Sequence, residues 1–326
     1  GDVYCSAVGT NSNNGTSPST PVAGPEVIVS KYDLEPGDTI WIDTGTYYPT
    51  NLTADEPGIR ILSNDCGSVA SYVTFQGSTN AAAGGTVLNR GGTSSQREVF
   101  KIYQSGGIRL RNLHLTGGAH GLYTQSSSNV IVDACQVYGN GDGLFIQATP
   151  NTRIRNTTSH HNSGRGLMFY HGSVTVFLEN CAIWSNYFPE PVGLKPEIYI
   201  TDNTALFSMT NTIVQVSGTG HVGIYYAQAN MPPYVGDYND LVALNGAAIG
   251  GYGISAAFHT LAQWQAASTQ DAHSISLNAE FTADGHLKSR HGTWSNGTWA
   301  TYPTNSPCID RGNPAAAFTN EPSPNG

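Results

Sequence analysis

A unit of roughly 22 residues recurs along the middle of the chain. Its copies are anchored by Leu110, Val132, Ile154, Leu178 and Met209, which are 22, 22, 24 and 31 residues apart. Each copy holds two or three short alternating runs broken by Gly, Asn or Ser, which leaves no room for a helix. A unit this short cannot bury an apolar face alone, so it must stack on its neighbours. The repeat therefore predicts an all-β solenoid, a right-handed parallel β-helix with coils about 4.8 Å apart.

Two columns of small residues in the aligned units support the stacking. Asn140, Asn162 and Asn186 fall at equivalent turns, which predicts a hydrogen-bonded asparagine ladder. Cys135 and Cys181 share another column but lie two coils apart, about 9–10 Å, which exceeds the roughly 7 Å limit for a disulfide. We expect both to be buried free thiols.

Segments at both ends and in the last third of the chain resemble secreted bacterial right-handed β-helix repeat proteins. The resemblance is carried by PGDTIWIDTGTYY (Pro36–Tyr48), TLAQWQAASTQDAHSISLNAEF (Thr260–Phe281) and SPCIDRGNPAAAFTNEPSPNG (Ser306–Gly326). It implies the fold and no particular activity, because such scaffolds carry lyases, hydrolases, adhesins and binding modules. We expect one domain over residues 1–326: N-terminal coils and cap (1–105), regular coils (106–230), and C-terminal coils with inserts and a tail (231–326). A short amphipathic helix is predicted at 256–267.

Composition excludes several classes of partner. A net charge of −9 with only 14 Lys and Arg residues gives no surface that gathers phosphates, so we expect no nucleic-acid binding. The sequence has no run of eighteen apolar residues, so no membrane span is expected. The low charge, the many tyrosines and a start at Gly1 suggest a mature secreted product or a trimmed fragment. Cys5 and Cys66 are candidates for a disulfide that closes an N-terminal loop.

One strand of each coil predicts a strip of outward side chains. The strands are GLYTQ (Gly121–Gln125), GLFIQ (Gly143–Gln147), GLMFY (Gly166–Tyr170), EIYIT (Glu197–Thr201) and GIYYA (Gly223–Ala227). Strand alternation turns one set of side chains inward and the next outward. The inward columns are Leu122, Leu144, Leu167, Ile198, Ile224 and Thr124, Ile146, Phe169, Ile200, Tyr226. The outward column is Tyr123, Phe145, Met168, Tyr199 and Tyr225. Gln125, Gln147, Tyr170 and Thr201 run beside it, and His120, Asp142, Arg165, Lys195 and His221 stand at the strand starts.

An exposed apolar strip bordered by amides and hydroxyls is typical of a binding surface. Because the rise per coil is close to the advance per sugar of an extended polysaccharide, each aromatic face could meet one pyranose ring. The alternatives are that the strip is covered, by the Trp184–Glu197 loop with its Tyr187 and Phe188 or by the C-terminal tail, or that it is an oligomer contact. Trp294 and Trp299 form a second aromatic cluster, for which a packed hairpin is favoured over sugar stacking.

Catalysis on the same face is the rival interpretation. A lyase or glycoside hydrolase there would use Asp142, Arg165, His171 and Glu197. A lyase that acts on polyuronates also needs Ca²⁺ held by clustered carboxylates, but Asp142 is more than fifty residues from Glu197 and Asp202, and no compact cluster appears. The adjacent His160 and His161 lack the spacing of metal ligands and indicate a turn.

We therefore expect a non-catalytic module without a metal or other cofactor that binds a plant cell-wall polysaccharide through Tyr123, Phe145, Met168, Tyr170, Tyr199 and Tyr225, with Gln125, Gln147, His120, Asp142 and Arg165 as polar contacts. In architecture this resembles the β-helical carbohydrate-binding modules attached to xylanases of gut bacteria. That resemblance implies a catalytic domain in the parent polypeptide. Few cations argue against a polyuronate and a flat strip suits an extended backbone, so a xylan-like β-1,4-linked chain is the expected ligand. The composition predicts an extracellular location. A monomer is expected, and a surface adhesin with a protein ligand is the third alternative.

Overall fold

The chain winds through three long sheets that it visits in the same order in every coil. The protein is described by a computed structural model that covers residues 1–49, 58–93, 97–172, 174–186, 194–201, 204–228, 233–253, 256–295 and 298–316. Almost all strand pairs in these sheets are parallel, and consecutive strands of one sheet come from consecutive coils. The predicted parallel β-helix is confirmed.

The three sheets contain most of the regular structure in the described residues. Sheet I consists of Asp2–Cys5, Thr39–Ile42, Val73–Gly77, Gly106–Arg111, Ser128–Asp133, Thr152–Arg155, Val174–Glu179, Thr204–Thr210 and Tyr234–Asp237. Sheet II consists of Gly45–Tyr47, Thr86–Asn89, Leu113–Thr116, Gln136–Tyr138, Thr158–His160, Ala182–Trp184, Ile213–Ser217 and Asp240–Leu244. Sheet III consists of Ile59–Ile61, Phe100–Tyr103, His120–Gln125, Asp142–Gln147, Leu167–Tyr170, Lys195–Ile200, His221–Tyr226, Ala248–Tyr252 and the antiparallel Ala256–Phe258.

The corner from sheet I to sheet II is made by one residue with a left-handed backbone. Asn112, Asn156, Asn180 and Asn211 occupy it in four coils, with φ between +51° and +53°. Asparagine tolerates this conformation better than most residues with a Cβ atom, because its short side-chain amide can form hydrogen bonds with the nearby backbone. These asparagines explain how the sequence turns so sharply without glycine.

The asparagine ladder is confirmed at the corner from sheet II to sheet III. Asn162 Oδ1 accepts from the backbone N–H of Asn140 at 3.0 Å, and Asn186 Oδ1 accepts from that of Asn162 at 3.1 Å. Asn140 Nδ2 also donates to Asn162 Oδ1 at 3.0 Å, and Asn162 Nδ2 donates to Asn186 Oδ1 at 2.8 Å. All three side chains are buried, so the ladder satisfies polar groups that water cannot reach.

The cysteines are all free thiols. Cys135 and Cys181 are buried as expected. The candidate disulfide between Cys5 and Cys66 is not formed. Cys5 lies in the first strand of sheet I with only 2% of its surface exposed, inside the core, whereas Cys66 lies in a turn and is partly exposed.

Each end of the solenoid carries a short helix. Pro25–Lys31 buries Ile28 in the core at the N-terminal end. The predicted helix at 256–267 is shifted: Ala256–Phe258 is an antiparallel strand, and the helix is Leu261–Ser268. The shift has a local cause, since Thr260 and Gln263 form a capping box that starts the helix after Thr260. A 3₁₀ turn covers Ala81–Ala83. Neither helix of the described residues is long and apolar enough to span a membrane.

The described part of the C-terminal tail runs back along sheet II. Leu277 donates its backbone N–H to Asp240 Oδ1 at 2.9 Å, and Ala279 donates to Gln215 Oε1 at 2.9 Å. Phe281 then stacks on Trp184, with ring centroids 4.3 Å apart. Strands Thr293–Ser295 and Thr298–Ala300 form the expected antiparallel hairpin, which pairs Trp294 with Trp299 and leaves Trp299 48% exposed. The tail therefore contacts sheet II at Leu277, Ala279, Phe281, Leu287 and Cys308, and the predicted strip lies on sheet III.

Candidate functional site

The outward residues of sheet III form one continuous column in the predicted register. Tyr123 pairs with Phe145, Phe145 with Met168, Met168 with Tyr199, and Tyr199 with Tyr225. The residues on either side of them in each strand, such as Leu122 and Thr124, are buried. We call Tyr123, Phe145, Met168, Tyr199 and Tyr225 the aromatic strip.

Four of the five strip residues are partly exposed, and Met168 is the exception. Its side chain is only 7% exposed. The Nη1 atom of Arg165 lies 3.5 Å from its sulfur, so the arginine covers it. The expectation that Met168 faces a ligand directly is wrong in this structure. The middle of the strip instead presents a guanidinium group.

The rings of the strip pack on one another. Tyr123 and Phe145 meet edge to face, with centroids 5.0 Å apart and planes at 87°. Tyr199 and Tyr225 are stacked at 5.7 Å and 18°, and the Arg165 guanidinium lies over the Tyr199 ring, 5.0 Å from its centroid. Because the faces of Tyr199 are occupied by neighbours, the expectation of one free aromatic face per sugar is wrong for this ring. At most one ring of the perpendicular pair can lie flat toward a ligand.

A second outward column supplies amides and hydroxyls beside the strip. Tyr103 pairs with Gln125, Gln125 with Gln147, and Gln147 with Tyr170, and all four side chains are partly exposed. The Tyr123 hydroxyl donates to Gln147 Oε1 at 2.5 Å. This bond restrains the Tyr123 ring and uses the Gln147 oxygen, so the amide N–H groups are not part of it.

A row of ionisable side chains stands near the start of the strands. His120 lies between two carboxylates: its Nδ1 is 3.8 Å from Glu98 Oε1, and its Nε2 is 3.8 Å from Asp142 Oδ2. Arg165 continues the row, with Nη1 3.5 Å from Asp142 Oδ2 and its backbone N–H donating to Asp142 Oδ1 at 2.7 Å. We call Glu98, His120, Asp142 and Arg165 the charged row.

Burial and charge act in opposite directions on the titration of this site. Burial raises the pKa of Glu98, but its interactions with His120 and Lys101 outweigh burial and leave the pKa below the ordinary value. Burial raises the pKa of Tyr123, and the nearby Glu98 carboxylate adds to the shift. Glu98 is therefore an anion at neutral pH, and Tyr123 stays protonated.

Glu98, Lys101 and Tyr103 belong to the site but were not predicted. Lys101 occupies the strip position one coil before Tyr123, and its Nζ lies 4.7 Å from the centre of that ring. The signal was present, because FKIY (Phe100–Tyr103) aligns residue for residue with Leu122–Gln125. Extending the aligned repeats by one coil toward the N-terminus places Lys101 and Tyr103 in the outward columns.

The four predicted catalytic residues do not gather in one place. Asp142 and Arg165 are in contact. Glu197 is 1% exposed and hydrogen-bonds with Asn186 inside the solenoid, so it cannot meet a substrate. His171 follows the last residue of strand Leu167–Tyr170, whereas Arg165 precedes its first. Those six residues correspond to roughly 20 Å of extended chain.

Lys195 and His221 pair with each other, but each stands three residues before its inward isoleucine, whereas Asp142 and Arg165 stand two before their inward leucine. They are therefore out of line with the charged row. Asp202, Tyr187 and Phe188 lie outside the described residues. Within the described ranges, no group of three or more His, Cys, Asp and Glu side chains is arranged to hold a metal ion.

Sequence and structure comparisons agree with this architecture. Residues 58–226, which are more than half of the chain, match the family described as "Right handed beta helix region". The chain belongs to the right-handed β-helix family. The search of curated protein sequences finds no match for this β-helix protein.

Three lyases are among the solved structures that are similar to this chain. A rhamnogalacturonan lyase is 14% identical, with a TM-score of 0.53 over 88% of this chain and 71% of that one. Pectate lyase Pel9A is 16% identical, with a TM-score of 0.48 over 86% and 82%. An alginate lyase from Paenibacillus is 14% identical, with a TM-score of 0.42 over 77% and 95%. Identities this low carry the fold from one protein to another and no activity.

Proposed function

We propose that this β-helix protein is a non-catalytic polysaccharide-binding module whose site is the aromatic strip with its polar borders. The observation that carries the proposal is the register of sheet III, which aligns partly exposed rings on consecutive coils. A surface that repeats about every 4.8 Å suits a ligand that is itself a repeating extended chain. A xylan-like β-1,4-linked backbone is the favoured ligand.

The charges around the strip favour a neutral or weakly acidic chain. Glu98 and Asp142 supply two negative charges, and Lys101 and Arg165 supply two positive ones, all within the site. These pairs largely neutralise each other, so a polyuronate would find little net attraction. Amides and hydroxyls are left as the groups that hold sugar hydroxyls in register.

The contacts expected of a bound sugar follow from the ring packing. The perpendicular pair Tyr123 and Phe145 offers one face and one edge to the C–H groups of a pyranose ring. Gln147 and Tyr170, in the adjacent column, reach the same sugar's hydroxyls. Arg165 and the tyrosine edges near it then meet the next sugars through hydrogen bonds rather than stacking.

The remaining parts of the proposal concern the context of the module. We propose that it is secreted, monomeric, formed by a single domain over residues 1–326, and attached to a catalytic domain in the parent polypeptide. The rhamnogalacturonan lyase of the same fold supports a polysaccharide as the class of ligand through its name alone.

Affinity electrophoresis against a panel of soluble polysaccharides, with product analysis of the same mixtures, tests the proposal. Retardation by xylan without new reducing or unsaturated ends is expected for the wild-type protein. Tyr123→Ala and Tyr199→Ala should each strongly reduce retardation, while Trp299→Ala, an exposed ring outside sheet III, should not. Unchanged retardation of both strip variants would show that the strip is not the site. No interaction with any glycan would leave the adhesin alternative.

A lyase or hydrolase is the second candidate, favoured by the position of His120 between two carboxylates. In a lyase reaction His120 would take the proton α to a uronate carboxyl group, which Arg165 would face as counter-charge. The bond from C4 to the glycosidic oxygen would break, with its electrons going to that oxygen. The electrons of the lost C5–H bond would form a C4=C5 double bond, which gives an unsaturated sugar. Unsaturated ends that appear with the wild-type protein and are lost in His120→Ala would establish this reaction in place of the module.

A further inference from the structure

A cleft lies at the N-terminal end of sheet I, apart from the aromatic strip. Its volume is about 840 Å³, within the range of roughly 300–1,000 Å³ typical of small-ligand sites. Its floor is formed by the first strands of the sheet, where Tyr4 pairs with Trp41 and Trp41 with Gln76. Its wall is formed by residues 6–21. The cleft and the aromatic strip therefore occupy different faces of the solenoid.

Trp41 is the most conspicuous side chain of this cleft. It is 43% exposed, although a large aromatic ring usually loses most of its contact with water on folding. Its indole N–H makes no hydrogen bond to any of the described residues. Tryptophan at a binding surface offers an apolar face and one donor, which is the combination that a sugar ring requires.

The wall of the cleft is held in place before any ligand binds. The backbone N–H of Tyr4 donates to Gly15 O at 2.7 Å, and that of Ser6 donates to Val22 O at 2.9 Å. Lys31 Nζ donates to the carbonyl oxygens of Asn11 and Asn13, at 2.6 and 2.7 Å. A site with a fixed wall loses little conformational entropy on binding.

The polar lining determines the class of ligand. Among the lining residues there is one carboxylate, Asp43, and no Lys, Arg or His. A phosphate or a uronate would therefore meet no counter-charge. Asn13 and Gln76 supply amides, and Ser78 supplies a hydroxyl, so both donors and acceptors are present. Each amide already donates one N–H to a backbone carbonyl, of Pro21 and of Gly77, and keeps a second N–H and its oxygen for a ligand. A quaternary ammonium ion, the other common partner of tryptophan, forms no hydrogen bonds and would use none of these groups.

We propose that the cleft beside Trp41 is a second sugar-binding site, which takes one or two residues of a neutral saccharide. One pyranose ring lies against the indole, and its hydroxyls pair with Gln76, Asp43 and the indole N–H. The site does not depend on the aromatic strip. It would give the module a contact for a chain end or a side chain while the strip holds a backbone.

Calorimetry of the full chain tests this site in a background where the strip is disabled by Tyr123→Ala and Tyr199→Ala. Xylobiose, cellobiose, mannobiose and N,N′-diacetylchitobiose are the probes. At least one should bind saturably, and adding Trp41→Ala should weaken it by at least about tenfold. Adding Trp299→Ala instead should leave binding unchanged, because that side chain is 48% exposed, against 43% for Trp41, but lies outside the cleft.

Three results would overturn the proposal. They are no saturable binding of any probe up to about 10 mM, undiminished binding after Trp41→Ala, and binding of tetramethylammonium in place of the sugars. Should Trp41→Ala lower the melting temperature, Trp41→Phe keeps one aromatic ring and removes the indole N–H together with the five-membered ring. Weaker binding at an unchanged melting temperature supports the site, and unchanged binding contradicts it. Because strip residues are absent from this experiment, its failure leaves the proposed function untouched.

Discussion

The Glu197 carboxylate takes the place of an asparagine amide at the end of the internal ladder. Its Oε2 accepts from Asn186 Nδ2 at 2.6 Å, and its Oε1 accepts from the Asn186 backbone N–H at 3.1 Å. The next turn from sheet II to sheet III, Ser217–Gly220, contains no asparagine. A carboxyl group reaching in from the neighbouring strand therefore completes the hydrogen bonds of Asn186.

Glu197 should make the stability of the protein depend on pH. Burial raises its pKa from 4.5 to about 8, only partly offset by the hydrogen bonds from Asn186. The folded state thus favours the protonated acid, so this stabilisation is complete below pH 4.5 and is lost as pH rises to 8. The free energy of unfolding should fall by up to about 1.4 kcal/mol per pH unit in that window.

Urea unfolding of Glu197→Gln over the same pH range checks this. A glutamine oxygen can accept both bonds, as each ladder asparagine does, and cannot ionise. The variant should lose the pH dependence and be more stable than the wild type above pH 8. Glu35→Gln, at an exposed position, is the control and should behave as the wild type. Identical pH profiles of Glu197→Gln and wild type would mean that Glu197 ionises freely.

His160 should have the opposite effect at lower pH. Its ring stacks between Tyr138 and Trp184, and burial, with His161 beside it, lowers its pKa from 6.5 to about 4. The folded state favours the neutral ring, so this stabilisation is complete above pH 6.5 and is lost as pH falls to 4. His160→Phe should make the urea midpoint nearly independent of pH in this window. His291→Phe, at an exposed position, should keep the pH dependence of the wild type. A wild-type midpoint that does not fall on acidification would refute the prediction.

Thiol titration checks that no disulfide forms. Burial raises the pKa of Cys135 and Cys181 to about 12, so neither should react with Ellman's reagent in the folded protein. Cys66 should react first. Cys308 should react slowly, because burial and Asp240, 2.9 Å from its sulfur, raise its pKa. In urea without reductant all five should react, and a count of three would reveal a disulfide.

The sequence determines the coil more strongly than the site. The unit length, the alternation and the ladder asparagines predict which side chains of sheet III point inward, because parallel strands in register repeat one pattern. The direction of Glu197 was missed because alternation breaks at the start of the strand. It occupies the column of Gly143 and Gly166, where a Cβ would point at the ladder amides. That alignment is the signal that was available.

Ring orientation could not be predicted from residue order. Side chains about 4.8 Å apart on adjacent strands touch each other, and the rotamers chosen decide whether they stack or meet at an edge. Arg165 covers Met168 for the same reason, since a long side chain reaches across a rung. The course of the tail over sheet II depends on Trp184 and Phe281, which are nearly one hundred residues apart.

The most direct test of the central claim is calorimetric titration of xylohexaose into the wild-type protein and a Tyr123→Ala, Tyr199→Ala double variant. We predict saturable binding with a dissociation constant between micromolar and millimolar. This range corresponds to a binding free energy on the order of 4–8 kcal/mol. The double variant should show no binding that calorimetry detects beyond any Trp41 contribution, with its melting transition retained. Full affinity in the double variant would contradict the proposal that the outward side chains of sheet III hold the polysaccharide.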